Sequence, residues 1–272
     1  MTQQQWMERL HLSRETQQAL EALELPQDRA AQWEAAAAQG AEPLHRAIGQ
    51  QDQQELLALK LYLALAEKTR EGYLARGIPE DVFWDSMEDF SLWSEDYRRK
   101  TGKAGVDQWQ WLSLVTGMQV TRLGRLQFQP ISLPEEGLLE GHHIPAGTQV
   151  LAVHVPAGPP LAPEAVRQSL CQAPAFFRTY FGTEYRYYRC QSWLLSPVLQ
   201  KMLPESSGIL QFQRWFQVSK TLPSQQAVER VFGDPGRCRE SALQRAMAQH
   251  LKAGGTVPEG IGLGRFPETP QR

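Results

Sequence analysis

Along residues 1–117, apolar side chains recur every three or four positions, the spacing that gathers them on one face of an α-helix. Leu10, Leu20, Leu23 and Leu25 carry the pattern to Pro26, and "DRAAQWEAAAAQG" extends it in strong helix formers until Gly40. "LLALKLYLALA", residues 56–66, is apolar almost all round and predicts a helix enclosed by its neighbours, with Lys60 as an interruption. "GIPEDVFWDSMEDFSLWSEDYRRKTG" predicts one long helix. Pro79 opens it, Glu80 and Asp81 suit the positive end of its dipole, and Arg98, Arg99 and Lys100 suit its last turn before Gly102. Phe83, Met87, Phe90, Trp93 and Tyr97 fall on one face of that helix. "VDQWQWLSLVTG" predicts a further helix that stops at Gly117.

Beyond Gly117 the period shortens. "MQVTRLGRLQFQP", "TQVLAVHVPAG" and "YRYYRCQSWLL" place Val, Leu, Phe and Tyr in short runs bounded by Gly and Pro, which predicts strands. "APEAVRQSLCQAPAFFRTYFG" returns to a helix opened by Pro163 and closed by Gly182, and "PVLQKMLP" is a short helix. "SGILQFQRWFQVSKT" predicts a long strand, with Leu210, Phe212, Phe216 and Val218 on one face and Gln211, Gln213, Trp215 and Gln217 on the other. "SALQRAMAQHLKAGG" is an amphipathic helix ended by Gly254 and Gly255. The pattern therefore predicts two domains, an all-helical one over 1–117 and an α+β one, strands alternating with helices, over 118–272.

Composition narrows the function classes. With 28 basic against 30 acidic residues the net charge is −2, which gives no electrostatic case for nucleic acid, whose phosphates need a basic face to neutralise them. Cys171, Cys190 and Cys238 are widely spaced and odd in number, without CxxC, HExxH or a Cys/His cluster, so neither a metal site nor a disulfide scaffold is expected. "MTQQQWMERLHLS" lacks the layout of a signal peptide, and the 56–66 run is too short to span a bilayer. A cytoplasmic protein that does not act on membranes is the expectation.

Two stretches could carry chemistry. In "VHVPAGPPLAPEAV" a strand enters a helix through a tight loop, which presents backbone N–H groups near a helix N-terminus, a seat for an anion. Pro156, Pro159, Pro160 and Pro163 donate nothing, so the donors would be Ala157, Gly158, Leu161 and Ala162; the alternative is a rigid connector. His154 projects from the strand face opposite Leu151, Val153 and Val155, as a proton carrier or a core histidine. In "YRYYRCQSWLL", Cys190 and Ser192 share one face and Arg189 and Gln191 the other, and no base for a reactive thiol lies within reach in the sequence. Arg125 and Gln127 share a face and suit a ligand carboxylate or phosphate, or acidic residues elsewhere in the chain; Gly124 beside them suggests a close backbone approach.

"RLGRLQF", "VHVPAGPPL" followed by "SLCQAPAFFRTYF", then "CQSWLLSPVLQKMLPESSGILQF" and "ALQRAMAQHLKAGG" resemble the bacterial acyltransferase-domain proteins, as does "FWDSMEDFSLWSEDYRRKTGKAG" in the first half. That family joins an N-acyltransferase N-terminal helical domain to a GNAT-like C-terminal domain, a mixed β-sheet with flanking helices. The resemblance implies transfer of an acyl group from acetyl-CoA or another acyl-CoA to a small-molecule amine, by direct attack and without metal. It implies two parallel strands that part around the acyl-CoA, with the pyrophosphate held after the first of them by Val155, Ala157, Gly158, Leu161 and Ala162. His154 would then be the base, Cys190 or Ser192 the donor to the departing thiolate, and Arg125, Gln127 and Trp193 would meet substrate. The usual loop, (Gln/Arg)-x-x-Gly-x-(Gly/Ala), is replaced here by "PAGPPL". The alternatives are therefore a non-catalytic GNAT-like protein that binds a ligand or partner, and a hydrolase built on Cys190 and His154.

Overall fold

The computed structural model describes residues 1–233 and 241–267; Cys238 lies outside them. The chain divides into two compact units, Met1–Arg122 and Leu123–Arg272.

The first unit is helical: α1 (Gln3–Arg9), α2 (Arg14–Ala22), α3 (Ala30–Gln39), α4 (Ala41–Ile48), α5 (Gln54–Ala64), α6 (Ala66–Ala75), α7 (Glu80–Met87), α8 (Asp89–Thr101) and α9 (Trp109–Thr116). The expected apolar helix is α5, with Leu56, Leu57, Ala58, Leu59, Leu61, Tyr62 and Leu63 all buried. Lys60 interrupts that run because its ammonium reaches the end of α2 and donates to the carbonyls of Leu20 and Leu23. Those are carbonyls that a helix C-terminus leaves without intrahelical partners. The single helix expected over 79–102 is two consecutive ones, turned at Glu88. Just beyond the turn, Asp89 is buried and accepts from Trp111 Nε1 at 2.6 Å, a tertiary contact that local pattern does not contain.

Beyond α9 the chain continues through β1 (Thr121–Leu123), at the boundary of the units, into β2 (Leu126–Ser132), β3 (Gly137–Leu139), β4 (His142–Ile144), β5 (Gln149–His154), α10 (Pro163–Phe181), β6 (Tyr187–Ser192), α11 (Gly208–Gln213), β7 (Gln217–Leu222), α12 (Gln226–Phe232), α13 (Ala242–Lys252) and β8 (Glu259–Arg265). The main sheet runs β1-β2-β5-β6-β8-β7, and β3 and β4 form a separate hairpin. β2 and β5 are antiparallel, β5 and β6 parallel with α10 as the crossover between them, and β8 is antiparallel to both β6 and β7. This is a mixed sheet with flanking helices. "TRLGRL" is not one strand but β1 and β2, joined by a turn in which Gly124 takes φ +67°. A positive φ at the first turn position is where glycine is favoured.

One strand expectation is corrected here, and one strand was not anticipated. "SGILQFQRWFQVSKT" is not a long strand. It folds as α11, with Ser207 Oγ accepting from Leu210 N–H at its start, followed by β7. Phe212, Phe216 and Tyr188 then form an aromatic cluster, with ring centroids 5.0 and 5.2 Å apart, that an extended chain would not close. Conversely, "EGIGLGR" is strand β8 despite three glycines. Gly260, Gly262 and Gly264 stand opposite Ser192, Cys190 and Tyr188 in the register. A Cβ on Gly264 would lie 2.3 Å from the Tyr188 ring, one on Gly262 2.8 Å from Phe216 Cβ, and one on Gly260 2.3 Å from the Leu195 carbonyl oxygen. Glycine here makes room for the aromatic side of the sheet.

Candidate functional site

β5 and β6 pair only at Leu151–Tyr188 and Ala152–Arg189. Past those positions both strands continue, β5 to His154 and β6 to Ser192, without further pairing. A cavity of about 390 Å³ lies at this parting, lined by Ala152, Val153, His154, Arg189, Gln191, Gln226 and Glu259.

Register and alternation decide which side chains share that cavity. Ala152 faces Arg189 across the pair, so His154, two residues on, falls on the same side as Arg189 and Gln191. His154 Nε2 lies 3.0 Å from Gln129 Oε1. A carbonyl oxygen accepts, so Nε2 carries the hydrogen and Nδ1 the lone pair. Burial, then the positive charge of Arg189, pull the imidazole pKa down to about 4. At neutral pH His154 is therefore uncharged. Arg189 donates to Gln191 Oε1 at 3.0 Å, and Gln191 donates to Glu259 Oε2 at 3.0 Å. Ser224 Oγ donates to the other oxygen of Glu259 and accepts from Gln226 N–H at 3.1 Å. One polar chain thus runs from β6 across β8 to the start of α12.

Cys190 is on the other face. It is 2% exposed, on the side of Tyr188 and the β8 glycines, and burial pushes its thiol up to about 12. The structure does not bring it together with His154, so the geometry of a Cys/His pair is absent. Ser192 shares the face of Cys190, and its Oγ accepts from Leu194 N–H at 3.2 Å, starting the 3₁₀ turn Trp193–Leu195. Trp193 has left the strand for that turn and packs against the cluster of Leu199, Leu210, Ala227, Val231, Met247 and Val257. Gln127 is 1% exposed, opposite His154 in the register. None of these residues lines the cavity.

The loop after β5 is held in place rather than open throughout. Arg125 lies in the β1–β2 turn, and its guanidinium donates to Pro159 O through Nε and to Pro156 O through Nη1, both at 2.9 Å. Ala157 and Gly158 are exposed, Val155 is half-buried, and Leu161 is buried beneath the start of α11. Ala162 is exposed as well, but its N–H donates to Pro160 O at 2.8 Å. Arg189, Gln191, Gln226 and Glu259 were not among the expected site residues. Alternation along β6 already puts Arg189 and Gln191 on one polar face, whereas Gln226 and Glu259 arrive through tertiary structure. Among the described residues no group of three or more His, Cys, Asp or Glu could hold a metal, and no helix is long and apolar enough to cross a membrane.

A mixed sheet whose parallel inner strands part beyond a shared start, joined by a crossover helix, defines a GNAT-like acyltransferase fold. Residues 120–264 match the family model of the GNAT-like C-terminal domain, and residues 1–118 that of the N-acyltransferase N-terminal domain. The chain belongs to the family that joins these two domains. Among solved structures, an acyltransferase in complex with decanoyl-CoA and teicoplanin is 26% identical, over 97% of this chain and 87% of its own, with a TM-score of 0.80. An acyltransferase mutant in complex with octanoyl-CoA and an acyltransferase in complex with CoA and 10C-teicoplanin match with the same figures. No curated protein matches the chain at a significant level.

Proposed function

We propose that the protein is an acyl-CoA-dependent N-acyltransferase that passes an acyl group directly to an amine. The observation that carries this reading is the parting of β5 and β6 after Ala152 and Arg189, which opens the cavity beside His154. Backbone groups that would otherwise bond the neighbouring strand are there available to a ligand lying between the two. A thioester lying in that gap would find backbone donors for its carbonyl oxygen. The amine nitrogen attacks the thioester carbon, the C–N bond forms and the C–S bond breaks. The proton lost by nitrogen passes through His154 to the departing thiolate. His154 is a weak base in these surroundings, but negative charge building on the thioester oxygen and sulfur raises its proton affinity during the reaction. Arg189, Gln191, Gln226 and Glu259 orient the acceptor.

The solved relatives bind octanoyl-CoA, decanoyl-CoA and, in two cases, a glycopeptide, teicoplanin or 10C-teicoplanin. Medium-chain acyl-CoA is therefore the donor to test first, and an amine on a glycosylated peptide the first acceptor. Calorimetry with acetyl-, octanoyl- and decanoyl-CoA, followed by mass spectrometry of an amine panel, tests the proposal. Saturable binding and an acylated amine with stoichiometric CoA release are the expected result. Absence of binding at millimolar CoA would favour a non-catalytic role, in which "PAGPPL" serves only as a stiff connector.

A further inference from the structure

The proline-rich loop poses a physical problem for anion binding. Between residues 156 and 163 four of eight positions have no N–H, and the N–H of Ala162 is turned onto Pro160 O. Whatever binding the loop achieves depends on how the few amides left are aimed. A glycine-rich loop aims several at once by bending freely; this one is stiff and must be held.

We infer that Arg125 is the positioning residue that aims the loop after β5 at a diphosphate, and that it acts through the loop backbone rather than by touching the ligand. Its guanidinium holds Pro156 O and Pro159 O together, each at 2.9 Å. The Pro156–Ala157 peptide is trans and planar, so its N–H points opposite to its carbonyl. With the Pro156 carbonyl drawn against Arg125, the Ala157 N–H is turned away from it, on an exposed residue. Gly158 follows with φ +135°, which redirects the chain at a position where side chains are disfavoured. The turn that carries Arg125 is itself tied to α10. Arg125 N–H donates to Ser169 Oγ at 2.9 Å, and a Cβ on Gly124 would lie 3.1 Å from that oxygen. Arg125, the loop and the crossover helix therefore form one braced unit. The planar fork of arginine can bridge two carbonyls, whereas the point donor of lysine cannot hold both in the same way.

This inference rests on the acyl-CoA reading, and its test separates the two. Full-length wild type, Arg125→Met and Arg125→Lys are assayed with octanoyl-CoA and with octanoyl-N-acetylcysteamine, a thioester of the same acyl group without the diphosphate. For Arg125→Met the expected result is a rise of about tenfold in KM for octanoyl-CoA, with kcat within about twofold, and an unchanged kcat/KM for the truncated thioester. Arg125→Lys restores part of the loss. Equal losses with both thioesters, or no loss with either, would overturn the inference alone. If wild type itself does not prefer octanoyl-CoA over the truncated donor, the loop binds no diphosphate and the inference falls together with the CoA part of the functional reading. Should Arg125→Met fail to fold, the donor ratio of Arg125→Lys decides: a ratio equal to that of wild type rejects the brace.

Discussion

Cys190 and His154 sit on adjacent strands and experience opposite surroundings. The thiol is enclosed by Tyr188 and the β8 glycines and kept protonated, while the imidazole borders a polar cavity and is kept neutral. Cys190→Ala is accordingly expected to retain acyl transfer within about twofold while losing on the order of 1 kcal/mol of stability, the scale of a small buried deletion. In the native protein the Cys190 thiol should not react with a thiol reagent until denaturant is added. A native-state reaction at Cys190, resolved by peptide mapping, would contradict this placement. For His154 the sign of the pH effect follows from its lowered pKa. Between about pH 6.5 and 4 the unfolded chain protonates this histidine and the folded one does not, so stability falls as pH falls through that window. The loss reaches up to about 3 kcal/mol for a shift of this size. Urea unfolding at pH 7 and pH 4.5 should show a smaller acid loss in His154→Gln than in wild type; equal losses would mean that the histidine is not desolvated in the fold.

At the scale of elements, β8 is where composition and structure diverge. Strand propensity counts against "EGIGLGR", yet tertiary packing selects it, because only a glycine surface lets Tyr188 and Phe216 lie against the sheet. Gly264→Ala and Gly262→Ala are each expected to destabilise by roughly 1–3 kcal/mol, the range for overpacking a filled core. A lowered Tm with unchanged KM for acyl-CoA is the expected signature, and a neutral Gly264→Ala would show that the ring moves aside freely. The 208–222 region teaches a related lesson. Alternating apolar and polar residues read as one strand, but the segment begins as α11, where the Ser207 cap satisfies a helix-start N–H, and becomes strand only at β7. By contrast α5, α10 and α13 were legible from period and caps: Pro163 and Gly182 bracket α10 as anticipated, with Gly182 at φ +67°.

For the whole molecule, a ligand that binds only the folded state raises stability by mass action. Decanoyl-CoA at one hundred times its Kd should add about 2.7 kcal/mol. In the unit Leu123–Arg272 that corresponds to a rise in Tm of roughly 5–10 °C, read by scanning calorimetry on the full chain. A scan that is unmoved by any acyl-CoA would count against the donor assignment. The amino-acid sequence by itself determined the helical first half, the change of period beyond Gly117, the helix that follows β5 and the opposite faces of Cys190 and Arg189. Those features are written in local periodicity, which records which side of an element meets apolar neighbours. Only the tertiary structure decided that β8 lies between β6 and β7, that Glu259 and Gln226 reach the cavity beside His154, and that Arg125 holds the proline loop. Each of those depends on residues far apart in the chain meeting at one point, and no spacing within a single segment encodes that meeting.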